Sequence, residues 1–238
     1  MKKLVLSLVA VSTMLAAGAA NAAQTPFNGQ LDFSGVITST APVWKWEIPA
    51  ASQTAAKDWS TKADSGVVTG ANTVFTLDNA DIPFIQGYTP DVVGEGSPGL
   101  VPTITVAGNH VVNDRPEVLD ISVTGDGKAD AGMLKMTLTG GASIGFTATD
   151  GKGTNVYKSS GALGQTAYDM ISKHIPAGAS VTVSGTTMMW LANYLGDNTH
   201  TNQVASYATN LGKFSLSFPT ASIPDAWTAT VPVTVTYS

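Results

Sequence analysis

The chain has 238 residues, of which only 12% are charged, and its formal net charge is −5. An acidic, sparsely charged protein has no electrostatic footprint for nucleic acid or anionic lipid. It contains no cysteine, which removes thiol catalysis and cysteine-bound metal from consideration.

The N-terminus reads as an export signal. Lys2 and Lys3 form a positive n-region, Leu4 to Ala17 an uncharged apolar run, and Ala20-Asn21-Ala22 a small-x-small cleavage site. The apolar run falls short of the roughly 20 residues a membrane span needs, and no charged stop-transfer cluster follows. Residues 1–22 are therefore expected to be removed, giving a mature chain that starts at Ala23, and no stable membrane insertion is expected. Such a chain reaches an oxidising compartment that permits disulfides, yet it uses none, so core burial and partners must supply its stability.

Directly behind the cleavage site lies an alternating strand, Phe27–Ile37. Phe27, Gly29, Leu31, Phe33, Gly35 and Ile37 face one side, and the polar residues between them, with Val36, face the other. Glycines in an apolar row leave room where another chain presses close. On residues alone the segment reads either as a strand donated elsewhere or as an ordinary first strand.

The remainder is patterned as short strands: Thr73–Leu77, Thr103–Val106, Leu119–Thr124, Leu134–Thr139, Ser143–Thr149, Ser180–Gly185, Lys213–Phe218 and Ala229–Tyr237. Turn chemistry separates them at Thr124-Gly125-Asp126-Gly127, Gly140-Gly141, Asp150-Gly151-Lys152-Gly153 and Pro176-Ala177-Gly178. This spacing predicts an all-β, immunoglobulin-like sandwich; the alternating βα pattern of a parallel sheet is absent. Gln165–His174 and Thr187–Leu195 carry helical spacing and predict two short helices in an insertion. Val92–Pro102 reads as a surface loop. The expected domains are 1–22 signal peptide, 23–38 N-terminal extension and 39–238 a single β domain.

At the C-terminus Trp227, Ala229, Val231, Val233, Val235 and Tyr237 alternate with polar residues and Pro232. Proline cannot donate to a ladder and suits an edge or a break. A sandwich whose final strand ends the chain presents an open edge that another chain must cover, and strand addition from a partner does this.

Both ends resemble one family. FNGQLDFSGVIT at 27–38, WKWEI at 44–48 and AWTATVPVTVTYS at 226–238 are similar to the donor segment, the tryptophan-rich stretch and the C-terminal strand of chaperone–usher fimbrial subunits, closest to the cysteine-free kappa class of K-eighty-eight-like subunits and adhesins. The resemblance implies an incomplete pilin sandwich completed by donor-strand exchange. A periplasmic chaperone would fill the groove first, and an outer-membrane usher would exchange that strand for the donor of a neighbouring pilus subunit. Phe27, Gly29, Leu31, Phe33, Gly35 and Ile37 would form the donor strand, and Trp227, Val231, Val233, Val235 and Tyr237 the acceptor edge and chaperone contact. It also implies a place in a cell-surface fimbrium and adhesion to host cells. In such adhesins the major subunit itself binds host glycoconjugates.

Tyr168, Trp190, Tyr194, Asn198 and His200 are the candidate glycan-binding residues, since aromatic faces stack on sugar rings; Trp190 and Tyr194 read more readily as the core of a short helix. The other reading of the chain is a secreted, monomeric glycan-binding sandwich. His110, His174 and His200 are scattered and sit in no catalytic motif, so no enzyme, cofactor or metal is expected. Asp126–Asp130 departs from an EF-hand loop and reads as a hairpin turn. N-terminal sequencing of the exported protein should begin at Ala23; a mature form that keeps Lys2 and Lys3 would overturn the signal-peptide reading.

Overall fold

The computed structural model describes residues 44–96, 99–108, 110–113, 115–148, 153–185, 191 and 193–237. The signal peptide and the strand Phe27–Ile37 lie outside the described residues.

The elements in chain order begin with β1 (Lys45–Glu47) and helix α1 (Ala50–Ala55), followed by β2 (Val67–Thr69), β3 (Asn72–Thr76), β4 (Ile82–Tyr88) and β5 (Val93–Glu95). Next come β6 (Pro102–Val106), β7 (His110–Val111), β8 (Glu117–Gly125), β9 (Lys128–Ala148) and β10 (Thr154–Ser159). Helix α2 (Gly161–Ile171) precedes β11 (Ser180–Ser184), β12 (His200–Pro219), β13 (Trp227–Ala229) and β14 (Val233–Tyr237). The fold is mostly β, as the strand pattern predicts.

Two long strands form its spine. Strands β9 and β12 pair antiparallel from His200↔Ala148 to Ser217↔Met133. Their ladder shifts register between Thr201 and Val204 and between Gly212 and Ser215. At these shifts Asn202 and Lys213 adopt left-handed backbone, with φ of 52° and 53°. Such bulges bend a strand and raise its twist, so strands of this length can curl around a core. The large sheet runs β1-β4-β12-β9-β10-β11, with β8 and β13 on the near half of β9, and β3 and β2 on the far half of β12. A second sheet, β14-β6-β7, supplies Ile104 and Val106 to the same core.

Strand β8 shows how the sequence sets its face. Leu119, Ile121 and Val123 are buried while Val118, Asp120 and Ser122 are exposed. The outer row is polar in part: Lys135 on β9 pairs with Asp120 at 3.2 Å. The turn from β8 to β9 places Asp126 and Gly127 at positive φ (47° and 77°), the geometry of a type I′ hairpin, which asparagine, aspartate and glycine accept most readily.

Four expectations need correction. Gly140-Gly141 is no turn: it lies inside β9, paired with Thr209 and Ala208 of β12. Its glycine serves a close approach, because a Cβ on Gly141 would meet the Leu163 side chain of α2 at 2.8 Å. Val92–Pro102 contains β5, paired with β12. Residues 229–237 are not one strand, since β13 pairs with β8 and β14 with β6. Lastly, one parallel pair exists. Strands β10 and β11 are parallel and joined through α2, as a parallel pair needs a long crossover.

Helix α2 covers the outer face of β9, β10 and β12. Ala167 and Ile171 are fully buried there, and the Ser206 hydroxyl donates to the Ala167 carbonyl. The second half of β9 is thus buried on both sides, with Ile144 and Phe146 toward the main core, Gly141 against Leu163 of α2 and Gly145 against Ile175 just beyond it. Leu119→Ala should cost about 2–5 kcal/mol in denaturant unfolding, whereas its exposed neighbour Val118→Ala should change stability by no more than about 0.5 kcal/mol. Equal costs would show that the two faces of β8 are misassigned.

Candidate functional site

The C-terminal segment belongs to two sheets. Trp227–Ala229 pairs with Val123–Gly125 of β8, and Val233–Tyr237 pairs with Pro102–Val106 of β6. The change of partner falls at residues 230–232. Pro232 has no N–H to give, and its carbonyl accepts from Ala107 N at 2.9 Å, so the β6 ladder ends at the proline. Entry to the segment is fixed by Asp126, whose carboxylate accepts from Ala226 N (3.1 Å) and Asp225 N (3.3 Å). Side-chain alternation survives the switch. Trp227, Ala229, Val231, Val233 and Val235 all pack against the main core, and Thr228, Thr230, Thr234 and Thr236 are exposed. Tyr237, the last member of the row, is 47% exposed.

On its other side this segment has no strand partner among the described residues. Strand β13 pairs with β8 alone, and β14 ends its sheet. Strand β1, the first described strand, is the end of the large sheet and pairs with β4 alone. Side chains bridge these edges at one end. Trp46 Nε1 of β1 donates to the Tyr237 hydroxyl of β14 at 2.8 Å, and Trp44 Nε1 donates to the Leu100 carbonyl, just before β6, at 3.0 Å. The two indoles stack with centroids 5.1 Å apart, and Tyr207 packs against both.

At the other end the seam is open. A cavity of about 560 Å³ lies between the C-terminal segment and residues 48–59. Trp227, Ala229 and Val231 form one wall; Trp59 and α1 form the other. Core residues such as Met136 and Phe214 form its floor. Trp59 meets Phe214 edge-on at 4.7 Å and Trp227 at 6.4 Å. Ser52 of α1 is 4% exposed, and its buried Oγ has no hydrogen-bond partner among the described residues. A trough with an apolar floor, Lys57 and Asp58 in its lining and an unsatisfied polar group in its wall is chemically suited to a segment that brings both apolar side chains and peptide groups.

A family model described as fimbrial, major and minor subunit, of the K-eighty-eight type, matches residues 1–238. The chain belongs to that family. No curated protein matches it. The protein is thus a fimbrial subunit, its partners include other pilus subunits, and its place is the cell-surface fimbrium. No helix among the described residues is long and apolar enough to cross a membrane.

Of the site residues read from sequence, Trp227 and Val231 line the cavity, Val233 and Val235 continue the same apolar row, and Tyr237 holds Trp46. The sequence reading missed Trp59, Phe214 and Ser52 as seam residues. Alternation in Lys213–Phe218 marks Phe214 as inward-facing, but nothing in the sequence ties it to Trp59. The donor residues Phe27, Gly29, Leu31, Phe33, Gly35 and Ile37 lie outside the described residues, as does Trp190.

The remaining candidate glycan residues do not share one face. Tyr157 and Lys158 are consecutive on β10 and point to opposite sides. Tyr157 stacks with Tyr194 and Phe146, at 5.6 and 5.7 Å, while Lys158 Nζ lies 5.3 Å over the ring of Tyr168 on α2. Tyr194 therefore belongs with His200, which meets its ring edge-on at 4.7 Å, and with the exposed Asn198. Tyr168 belongs to the α2 side. Leu191 and Leu195, beside Tyr194, are fully buried in the main core, so this helical stretch is held by packing.

Two titrations in this cluster are shifted. The Thr199 backbone N–H, 2.8 Å from Asp197 Oδ1, together with the Thr199 hydroxyl and His200, holds the Asp197 carboxyl below its ordinary value, against the opposing effect of burial. Burial, then the neighbouring Tyr157 hydroxyl, raises the Tyr194 phenol above its ordinary 10.0. A raised pKa means the folded state holds this proton more tightly, so the contribution is complete below pH 10.0 and is lost as pH climbs through the higher folded value. Tyr194→Phe should flatten the fall in stability above that pH, read by alkaline unfolding; an unchanged profile would show that Tyr194 does not titrate in this way.

Proposed function

We propose that this fimbrial subunit polymerises by donor-strand exchange. The strand Phe27–Ile37 of one copy enters the seam between β1 and the β13–β14 segment of the next. One observation carries the reading: the cavity opens along the edge of β13, which has no strand partner on that side among the described residues, and Trp59 and α1 wall it opposite. The backbone of an added strand would satisfy that edge, and its large side chains would fill the cavity above Met136 and Phe214. Before assembly a periplasmic chaperone would occupy the same seam, and an outer-membrane usher would catalyse the replacement. The role is structural, with no catalytic step.

Adhesion to host cells is part of this proposal, with host glycoconjugates as the partner. The surface we assign to it is narrower than the sequence suggests, namely Tyr194, Asn198 and His200. Packing of Leu191 and Leu195 makes that surface rigid, which suits a shallow polar site.

Mature protein produced with a periplasmic chaperone should form a soluble complex, and without it should aggregate. Leu31→Asp or Phe33→Asp should leave the chaperone complex intact and abolish fibres seen by electron microscopy. Placing an unpaired carboxylate over the apolar floor of Leu134, Met136 and Phe214 costs several kcal/mol. A stable, soluble monomer without the chaperone would favour a self-sufficient glycan-binding sandwich instead, and normal fibres from either variant would refute the donor role of Leu31 and Phe33.

A further inference from the structure

The seam is unequal along its length. At the Trp59 end its interior is empty, with Trp227, Ala229 and Val231 facing the cavity. None of Trp44, Trp46, Val233, Val235 and Tyr237 lines that cavity. Trp46 is fixed by three restraints: its stack on Trp44, its contact with Tyr207 and its hydrogen bond to Tyr237. It also lies flat over β4 at Gly87, its direct partner in the ladder, where a Cβ would overlap the indole. Trp44 is itself held by the Leu100 carbonyl and is 6% exposed. The ring therefore cannot sink inward, and its nitrogen is directed across the seam to the opposite edge.

We propose that Trp46 determines which strand the seam accepts, by filling one end so that only a glycine passes there while large side chains are taken at the Trp59 end. This rests on the strand-acceptor reading above and extends it to a residue and a size rule. The occupant is the Phe27–Ile37 segment of a second copy. Its apolar row has large residues at Leu31 and Phe33 and a glycine on either side of that pair, Gly29 and Gly35. With Leu31 and Phe33 over the cavity, the next member of the apolar row toward Trp46 is a glycine in either direction of entry, Gly29 or Gly35.

The experiment is a size exchange in the full mature chain, where every copy is both donor and acceptor. Polymerisation after release from the chaperone is followed by light scattering and electron microscopy. Gly29→Leu or Gly35→Leu, whichever faces the indole, should slow it about tenfold or more, as overpacking does. Adding Trp46→Ala to that chain should restore the rate to within about threefold of wild type. Trp46→Ala should not rescue Leu31→Asp, whose defect lies elsewhere in the seam. If Trp46→Ala does not fold by circular dichroism, Trp46→Phe and Tyr237→Phe take its place, the first shortening the ring and the second releasing it; each should give partial rescue. The rule is overturned if both glycine variants polymerise as wild type, or if no change at Trp46 or Tyr237 rescues either. Failure of the wild type itself to polymerise would instead sink the strand-acceptor reading, so the two failures are distinct.

Discussion

The structure turns on one covalent fact: a single short segment must serve two sheets. Trp227–Ala229 completes the β8 side of the large sheet, and Val233–Tyr237 completes the small one. Pro232 makes this possible because a residue without an N–H ends a ladder at no cost in unpaired donors. The consequence is geometric. A segment committed inward along its whole length, first to β8 and then to β6, turns its other edge toward β1. Unlike β3 and β4, which pair along β12, the two facing edges have no strand between them among the described residues.

The opposite face of the large sheet solves a different problem, and solves it separately. Helix α2 lies on β9, β10 and β12 through Ala167 and Ile171, residues that stand apart from the main core. Small side chains let it approach: Gly141 against Leu163, and Ser206 bonded to the Ala167 carbonyl. Ser159 adds a buried link, accepting from Ala142 N at 3.0 Å. This layer closes without help from another chain. Changes in the α2 insertion can therefore alter the surface of the subunit while leaving the seam, on the other side of the sheet, with the same walls.

How far the sequence discloses this depends on which physics sets each feature. Alternation is local, so β8, the inner face of β9 and the C-terminal row are legible from residues alone, and Asp126-Gly127 announces its hairpin. The family resemblance rests on the same alternating ends. Tertiary override hides the rest. Gly140-Gly141 reads as a turn because glycine pairs usually are one; only the helix lying across it explains why the strand continues. Most of β12 escapes notice because Gln203 to Thr209 is buried at every residue, and a strand covered on both faces loses its period of two. Tyr168 and Tyr194 look like neighbours in a Tyr-rich stretch, yet one strand, β10, stands between them. Trp59 and Trp227 are far apart in sequence, so no pattern could place them on facing walls.

An interior open at one end is tolerable only if the other end is secure. The secure end rests on packing more than on its hydrogen bonds. A net hydrogen bond contributes about 0.5–1.5 kcal/mol, less at the exposed Tyr237 hydroxyl, whereas burying a large apolar side chain contributes about 1.5–3 kcal/mol. Trp44 and Tyr207, both nearly inaccessible, hold Trp46 by the larger of these terms. At the open end the same term is missing, because Met136, Leu134 and Phe214 have cavity where side chains would lie. The free energy available for closing the sandwich is thus concentrated beside Trp59. An occupant gains most by delivering its largest side chains there, and its backbone can then follow the edges toward Tyr237. A chain without cysteine has no covalent means of closing these edges, and stabilisation of the open end falls to whatever apolar strand reaches it.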